Sequence, residues 1–304
     1  MTVSLHVLLF LVFPPLLPGI INRVKAAFAG RRGPPVLQLY FDLWKLVRKG
    51  AVYSTTTTWV FRAGPVVGLA AMLVAALLMP LGGALPAPVA FAGDVILFAY
   101  LLGAARFALV LAALDTGSSF EGMGASREVT FSALAEPALF LAIAALALAR
   151  QSISWTSMLS GEMAAWHLFG PALVMLIGAL MLVALAENSR IPFDDPSTHL
   201  ELTMVHEVMI LDHSGPDLAM ILYGASLKLF LLGAIVVQLA FPFEAGTAGH
   251  VALFIAGMLV FAVVVGIIES TFARLRMTRV PQILIAASVF AALAVAVILV
   301  RVNA

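Results

Sequence analysis

Long apolar runs recur along the whole chain, and short polar segments separate them. A helix that crosses the hydrocarbon core of a bilayer needs about 20 mainly apolar residues. Each run is about twice as long as a membrane β-strand, which argues against a barrel. The pattern predicts an all-α, polytopic integral membrane protein with about eight transmembrane helices, near residues 3–22, 64–82, 94–114, 129–149, 168–187, 219–241, 250–269 and 281–300.

The composition excludes several classes of protein. Of the 304 residues, 62% are hydrophobic and 11% are charged, whereas soluble domains carry about 25% charged residues. A soluble domain, a disordered chain and a nucleic-acid binder with a basic surface are therefore excluded. The chain contains no cysteine, so it cannot by itself supply thiolates to an iron–sulfur cluster or a nickel–iron centre. Redox centres of any complex that contains it would lie in other chains.

The distribution of basic residues predicts the orientation. With the N-terminus outside, only Arg150 and Arg301 fall in outer segments, while Arg106 and Lys228 fall within spans and every other Lys and Arg is cytoplasmic. This asymmetry follows the positive-inside rule and predicts that both termini are periplasmic in an inner (cytoplasmic) membrane. No basic residue precedes the first apolar run, which favours a retained helix over a cleaved signal peptide.

No internal repeat, low-complexity linker or soluble second domain is apparent in the sequence. We therefore interpret residues 1–304 as a single transmembrane domain. Its cytoplasmic loops are predicted near residues 23–63, 115–128, 188–218 and 270–280.

Charged residues within the predicted spans are candidates for function, because each costs about 2.5–3.5 kcal/mol at mid-depth. Arg106, Glu136 and Lys228 are the clearest cases. Glu128 lies eight residues before Glu136, about 12 Å along a helix and about 80° around it. The two carboxylates could be steps of a proton relay, or Glu136 could form a structural pair with Arg106 or Lys228. Acids at span ends, such as Asp94 and Glu269, could instead be anchors at headgroup level.

The most polar stretch, residues 186–217, predicts turns at its prolines and an interfacial helix at about 197–211, which would line a cavity or dock a partner. His199 and His206 are seven residues apart, about 10 Å along a helix, so they do not suit one zinc ion. No nucleophile, phosphate-loop or dinucleotide motif appears. Clustered carboxylates and histidines beside a membrane favour proton handling. Near residues 31–50, an amphipathic segment predicts either lipid anchoring or a docking platform for a soluble arm.

Three segments carry a family resemblance: AENSRIPFDDPSTHLELTMVHEVMILDHSG, GMGASREVTF and QLYFDLWKL. They resemble the membrane subunit shared by complex I (its subunit 1) and the group 4 membrane-bound nickel–iron hydrogenases. Within that family the chain is similar to the branch that contains formate hydrogenlyase subunit 4 and hydrogenase-4 component C. The family motif A-E-x-x-R-x-P-F-D falls on residues 186–194, the loop acid on Glu201 and the loop arginine on Arg127. The chain departs from the quinone-type pattern at His199, and the next acid after Glu201 is Glu207. This departure favours the hydrogenase branch.

The resemblance implies a subunit that anchors a hydrophilic redox arm and couples it to ion movement. It implies hydrogenase large and small subunits as partners, which carry the nickel–iron centre and iron–sulfur clusters, together with antiporter-like membrane subunits. No cofactor or metal is expected in this chain. The alternatives are a quinone-chamber subunit of a complex I-like NADH dehydrogenase and a stand-alone secondary transporter. The residues expected to carry proton (or sodium) coupling, and their charge partners, are Glu128, Glu136, Glu187, Asp194, Glu201 and Glu207, with Arg106, Arg127, Arg190 and Lys228.

The orientation gives a first prediction. A cysteine introduced at Ser197 should react with an impermeant thiol reagent only after the cytoplasmic face is exposed, because the basic residues require that loop to be cytoplasmic. The wild-type chain has no cysteine and is its own unreactive control. Labelling of Ser197→Cys from the periplasmic side of intact cells would contradict this orientation.

Overall fold

The computed structural model describes residues 2–81, 85–159, 163–194, 204–241 and 247–303. Within these ranges the regular elements are helices. In chain order they are α1 (Thr2–Val12), α2 (Leu16–Phe28), α3 (Gln38–Val47), α4 (Trp59–Leu78), α5 (Asp94–Asp115), α6 (Ser119–Arg150), α7 (Trp155–Met158), α8 (Met163–Glu187), α9 (His206–Met209), α10 (Gly215–Ala240), α11 (Thr247–Thr271) and α12 (Val280–Asn303).

The predicted all-α membrane architecture is confirmed. Seven helices among the described residues are long and apolar enough to cross a bilayer, and α1 with α2 supplies an eighth span if the bent pair is counted as one. Part of the interfacial helix predicted at about 197–211 lies outside the described residues. Over 204–211 the structure has only the short α9.

The first span is broken where Pro14 and Pro15 follow Phe13, and its two halves meet at 41°. Pro15 has no N–H, so the Leu11 carbonyl loses its helical donor. The Leu16 amide donates to the Phe13 carbonyl at the break, so the Val12 carbonyl loses its donor as well. Two tyrosine hydroxyls supply donors instead. Tyr223 on α10 donates to the Leu11 carbonyl at 2.9 Å, and Tyr40 on α3 donates to the Val12 carbonyl. The break is therefore satisfied within the protein, as backbone at membrane depth requires.

Helix α6 begins at Ser119, ten residues before the predicted span, and runs for 32 residues. Its first turns are polar in sequence and were expected to be loop. They are helical because they are buried against the segment around α9. Glu121 accepts a hydrogen bond from the Asp212 amide at 3.2 Å, and a Cβ at Gly124 would collide with Val208. This close approach brings Glu128 into the interior, where it is buried.

Helix α10 lies at the centre of the bundle. It contacts α2, α3, α4, α8 and α11, and almost all of its residues from 226 to 239 are buried. Helix α12 packs against α6 and α8 on one side, through small residues such as Ala287, Ala291 and Ala294, which are fully buried. Because α10 contacts helices on every side, a charged residue on it can meet charges from several spans.

Helix α3 has no buried residue. It presents an apolar face in which Phe41, Trp44 and Val47 are exposed, while Lys45 and Arg48 follow near its end. The amphipathic surface segment predicted from the sequence is thus a helix that rests on α10 and α2.

Removing the Tyr223 hydroxyl tests how the broken span is stabilised. Tyr223→Phe leaves the Leu11 carbonyl without a donor, so we expect a loss of about 1 kcal/mol in the free energy of unfolding. The measurement is the thermal unfolding midpoint of the purified protein in detergent. Tyr100→Phe is the matched control, since Tyr100 is 74% exposed. Equal midpoints for the two variants would show that the hydroxyl of Tyr223 does not stabilise the break.

Candidate functional site

Arg106 on α5 holds together acids from two other helices. Its Nη1 donates to Glu136 of α6 at 2.6 Å, and its Nη2 lies 2.5 Å from both carboxylate oxygens of Glu187 at the end of α8. Its Nε lies 3.9 Å from Glu128, which is beyond hydrogen-bonding distance. The guanidinium therefore binds two carboxylates directly and leaves a gap to the third.

Lys228 reaches Glu187 from α10. Its Nζ lies 2.7 Å from Glu187 Oε2 and also donates to the Glu187 main-chain carbonyl at 2.6 Å. The carbonyls at a helix C-terminus carry partial negative charge, so a cation is favourable at the end of α8. We call Arg106, Glu128, Glu136, Glu187 and Lys228 the charged cluster. It joins four spans, and its three carboxylates face two cations.

The members of the charged cluster differ in burial. The side chain of Glu187 is 2% exposed and that of Arg106 is 10% exposed, whereas that of Glu136 is 43% exposed. Glu136 lies at a groove between α5 and α6, which encloses a cavity of about 560 Å³ and is lined by Tyr100, Phe107 and otherwise mainly apolar side chains. The cluster is therefore enclosed at Glu187 and open at Glu136.

A second set of ion pairs lies just beyond the same, C-terminal end of α8. Glu269 on α11 pairs with Lys25 of α2 at 2.8 Å and with Arg190 at 3.2 Å, and its side chain is fully buried. The sequence allowed Glu269 to be a headgroup anchor, but the structure buries it between two cations. Asp94, the other such candidate, is also buried. It accepts hydrogen bonds from Ser154 and from the Trp155 amide, both at 2.8 Å.

Asp194 fixes the loop that follows α8. Its Oδ1 pairs with Arg274 at 3.0 Å, and its Oδ2 accepts from the backbone amides of Val205 and His206 at 3.0 and 3.3 Å. Arg127 on α6 donates to the Met204 carbonyl at 3.1 Å. Asp194 and Arg127 therefore hold the same few residues from two sides.

Two cavities meet beside this loop. The smaller, of about 100 Å³, borders Arg106, Glu128, Glu187 and Lys228 of the charged cluster. The larger, of about 330 Å³, lies between α2, α10 and the loop segments 188–194 and 206–210. Both are lined by Asn188, Ser189, His206 and Ala225. We call them the cluster cavity and the loop cavity.

The structure assembles half of the residues singled out from the sequence. Five of them form the charged cluster. Arg190 and Asp194 line the loop cavity and pair with groups of α11 and the segment before α12, and Glu207 also lines that cavity. Glu201 lies outside the described residues. The sequence analysis missed Lys25, which pairs with Glu269. It also missed His206, whose spacing in the sequence raised only the question of a metal ligand.

The fold and these contacts define a class of protein: a helical integral membrane subunit whose spans are joined by buried ion pairs. The sequence profile of the NADH dehydrogenase family matches residues 1–301. The chain belongs to this family, and the resemblance inferred from its sequence motifs is confirmed.

Two curated relatives cover most of the chain. Hydrogenase-4 component C of Escherichia coli (strain K12) is 34% identical over 273 residues, which are 88% of this chain and 85% of that protein. Formate hydrogenlyase subunit 4 of the same organism is 33% identical over 298 residues, which are 95% of each. An NADH-quinone oxidoreductase subunit of Anaplasma phagocytophilum (strain HZ) is 25% identical over 236 residues, which are 72% of this chain and 68% of that protein.

The fold also occurs in a solved complex. A chain in the structure of the membrane-bound sulfane sulfur reductase, an archaeal respiratory membrane complex, matches with a TM-score of 0.83 at 21% identity, covering 98% of this chain and all of that one. At that identity the likeness shows the shared fold alone.

Arg106 is the residue on which the charged cluster depends. Arg106→Gln leaves Glu136 and Glu187 without their shared cation, and breaking a buried pair costs about 3–5 kcal/mol. We expect a correspondingly lower unfolding midpoint and lower yield of folded protein. Adding Glu187→Gln should restore part of the loss, since the two residues are coupled. Arg301→Gln, at an exposed position in α12, is the control. A single variant as stable as the control would mean that the pairs do not stabilise the bundle.

Proposed function

We propose that this chain is the membrane-anchoring and ion-coupling subunit of a membrane-bound nickel–iron hydrogenase complex of the formate hydrogenlyase type. Its assignment to the NADH dehydrogenase family and its identity of 33–34% to two hydrogenase-type subunits support the class of complex. The observation that carries the coupling role is the charged cluster, which links four spans within the membrane.

Ion coupling requires groups that can take up and release a charge along a connected path. The loop cavity, the cluster cavity and the exposed face of Glu136 follow one another through the molecule. Three carboxylates share two cations, so the cluster is neutral when it holds one proton. A proton that arrives at one acid therefore favours release from another, because a second bound proton leaves the cations in excess. Such a set of groups can transmit protons without a large change of structure.

The gap between Arg106 and Glu128 gives the cluster a second arrangement. A small movement of the guanidinium towards Glu128 would strengthen that pair and weaken its bond to Glu136. Glu136 would then face the α5–α6 groove without a close cation beside it. We propose that Glu136 is the end of the path at the membrane-facing surface. The coupled ion is a proton or, on the same carboxylates, a sodium ion.

The partners follow from the class of complex. The proposed partners are hydrogenase large and small subunits, which carry the nickel–iron centre and iron–sulfur clusters, and antiporter-like membrane subunits. A half-exposed carboxylate at a lipid-facing groove is costly in hydrocarbon, which supports a partner membrane subunit over the α5–α6 groove. We place the protein in the inner membrane with both termini periplasmic, so that the loop cavity faces the cytoplasm and the redox arm.

A quinone-chamber role in a complex I-like dehydrogenase is the second candidate. The loop cavity of about 330 Å³ and the similarity to an NADH-quinone oxidoreductase subunit favour it. The lower identity to that relative, 25% against 33–34%, favours the hydrogenase type.

The substitution Glu136→Gln separates a relay from a structural pair. Glutamine keeps size and polarity but cannot titrate. Arg106 still binds Glu187 at 2.5 Å in this variant, so no cation is left unpaired. We expect normal assembly of the complex and loss of turnover-driven ion translocation, with partial activity in Glu136→Asp. Translocation is measured as pH change in vesicles that contain the complete complex.

Asp42→Asn on α3 is the control, because it makes the same chemical change away from the cluster. Poor assembly of Glu136→Gln would instead indicate a structural pair. Full assembly with undiminished translocation would remove Glu136 from the path.

A further inference from the structure

One titratable side chain borders both cavities. Of the described residues that line the loop cavity and the cluster cavity alike, only His206 has a side chain that can take up and release a proton. The other residues that line both cavities have no such side chain; they are Asn188, Ser189 and Ala225. We propose that His206 is the proton-transfer residue between the loop cavity and the charged cluster. This assignment rests on the proposed coupling function.

The backbone, not the imidazole, holds His206 in place. The amide of His206 and that of Val205 both donate to Asp194, and Arg127 binds the carbonyl of Met204. Val208 and Met209, which follow in α9, are fully buried and anchor the segment on its other side. The ring is therefore free for a role other than fixing the loop, and its replacement should leave the loop in position.

Burial and one nearby charge keep the His206 ring neutral at neutral pH. Burial and the nearby positive charge of Lys228 lower the pKa of His206 to about 4. A neutral imidazole has one N–H and one free nitrogen, so it accepts and donates at the same time. The groups that face it across the two cavities are Arg106, Glu128, Glu187 and Lys228 on the cluster side, and Lys25, Arg190, Asp194 and Glu207 on the loop side.

These properties define the transfer step. A hydronium ion that enters the loop cavity from the solvent gives its proton to the free ring nitrogen, which forms an imidazolium and leaves a water molecule. The opposite N–H then loses its proton, through water in the cluster cavity, to a carboxylate of the charged cluster. The cluster cavity, of about 100 Å³, has room for such water, because a cavity of about 10–15 Å³ holds one water molecule. The repulsion by Lys228 favours the second step, because it destabilises the imidazolium.

The test removes the imidazole ring of His206 by substitution and then supplies free imidazole from solution. In vesicles that contain the whole complex, His206→Ala should lower turnover-driven proton translocation at least tenfold while assembly is unchanged. The loop cavity then has space for free imidazole, which should restore translocation in a saturable manner. The restoration should rise with pH through the pKa of imidazole, because only the neutral base accepts a proton. His206→Gln fills the space with a side chain that cannot transfer protons, and imidazole should not restore it.

Two comparisons keep the outcomes distinct. His167→Ala, at an exposed position of α8, should translocate like the wild type with or without imidazole. Loss of translocation in His206→Ala that imidazole fails to restore would overturn the assignment, because it indicates a structural role. Normal translocation in His206→Ala alongside loss in Glu136→Gln would overturn this assignment and leave the proposed function intact. Normal translocation in both would overturn the proposed function as well.

Discussion

The pairing of Arg106 is the constraint on which the rest of the structure depends. A guanidinium remains charged in any environment that a protein provides, so it must meet anions wherever the fold buries it. Here it draws one acid from α6 and one from α8 into direct contact, and Lys228 completes the set from α10. Four spans are thereby fixed relative to one another by charge as well as by packing. Apolar helices in lipid gain little from hydrophobic association, so such polar contacts have particular weight.

The same pairing gives the bundle its functional potential. A buried pair of one cation and one anion is already neutral. Three carboxylates beside two cations carry one excess negative charge, which one shared proton would neutralise. The acids also differ in exposure: the side chain of Glu187 is enclosed, while that of Glu136 faces the α5–α6 groove. The proposed path therefore has one enclosed end and one open end. The loop cavity lies on the enclosed side, beside the segment that Asp194 and Arg127 hold.

The loop after α8 connects this path to the more distant spans. Arg190 binds Glu269 of α11, and Asp194 binds Arg274 before α12. The backbone amide of Leu275 also donates to the Pro192 carbonyl at 2.9 Å. If a docked partner shifted this loop, the walls of the cavities and α11 would therefore move as well. In the proposed complex, this segment lies where a change in the soluble arm could be transmitted to the membrane helices.

The sequence by itself determined the fold class, the approximate number of spans and every member of the charged cluster. These features follow from local composition: an apolar run of sufficient length must be a membrane helix, and a charge within it stands out at once. It did not determine which acid meets which cation, because Arg106 could have paired with Glu136 alone and Lys228 with either acid. It also could not show that α6 starts at Ser119, since polar first turns become helical only when a neighbouring segment buries them. The role of His206 depends on two cavities formed by elements far apart in the chain. Such proximities are decided only when the helices pack, and only the tertiary structure contains them.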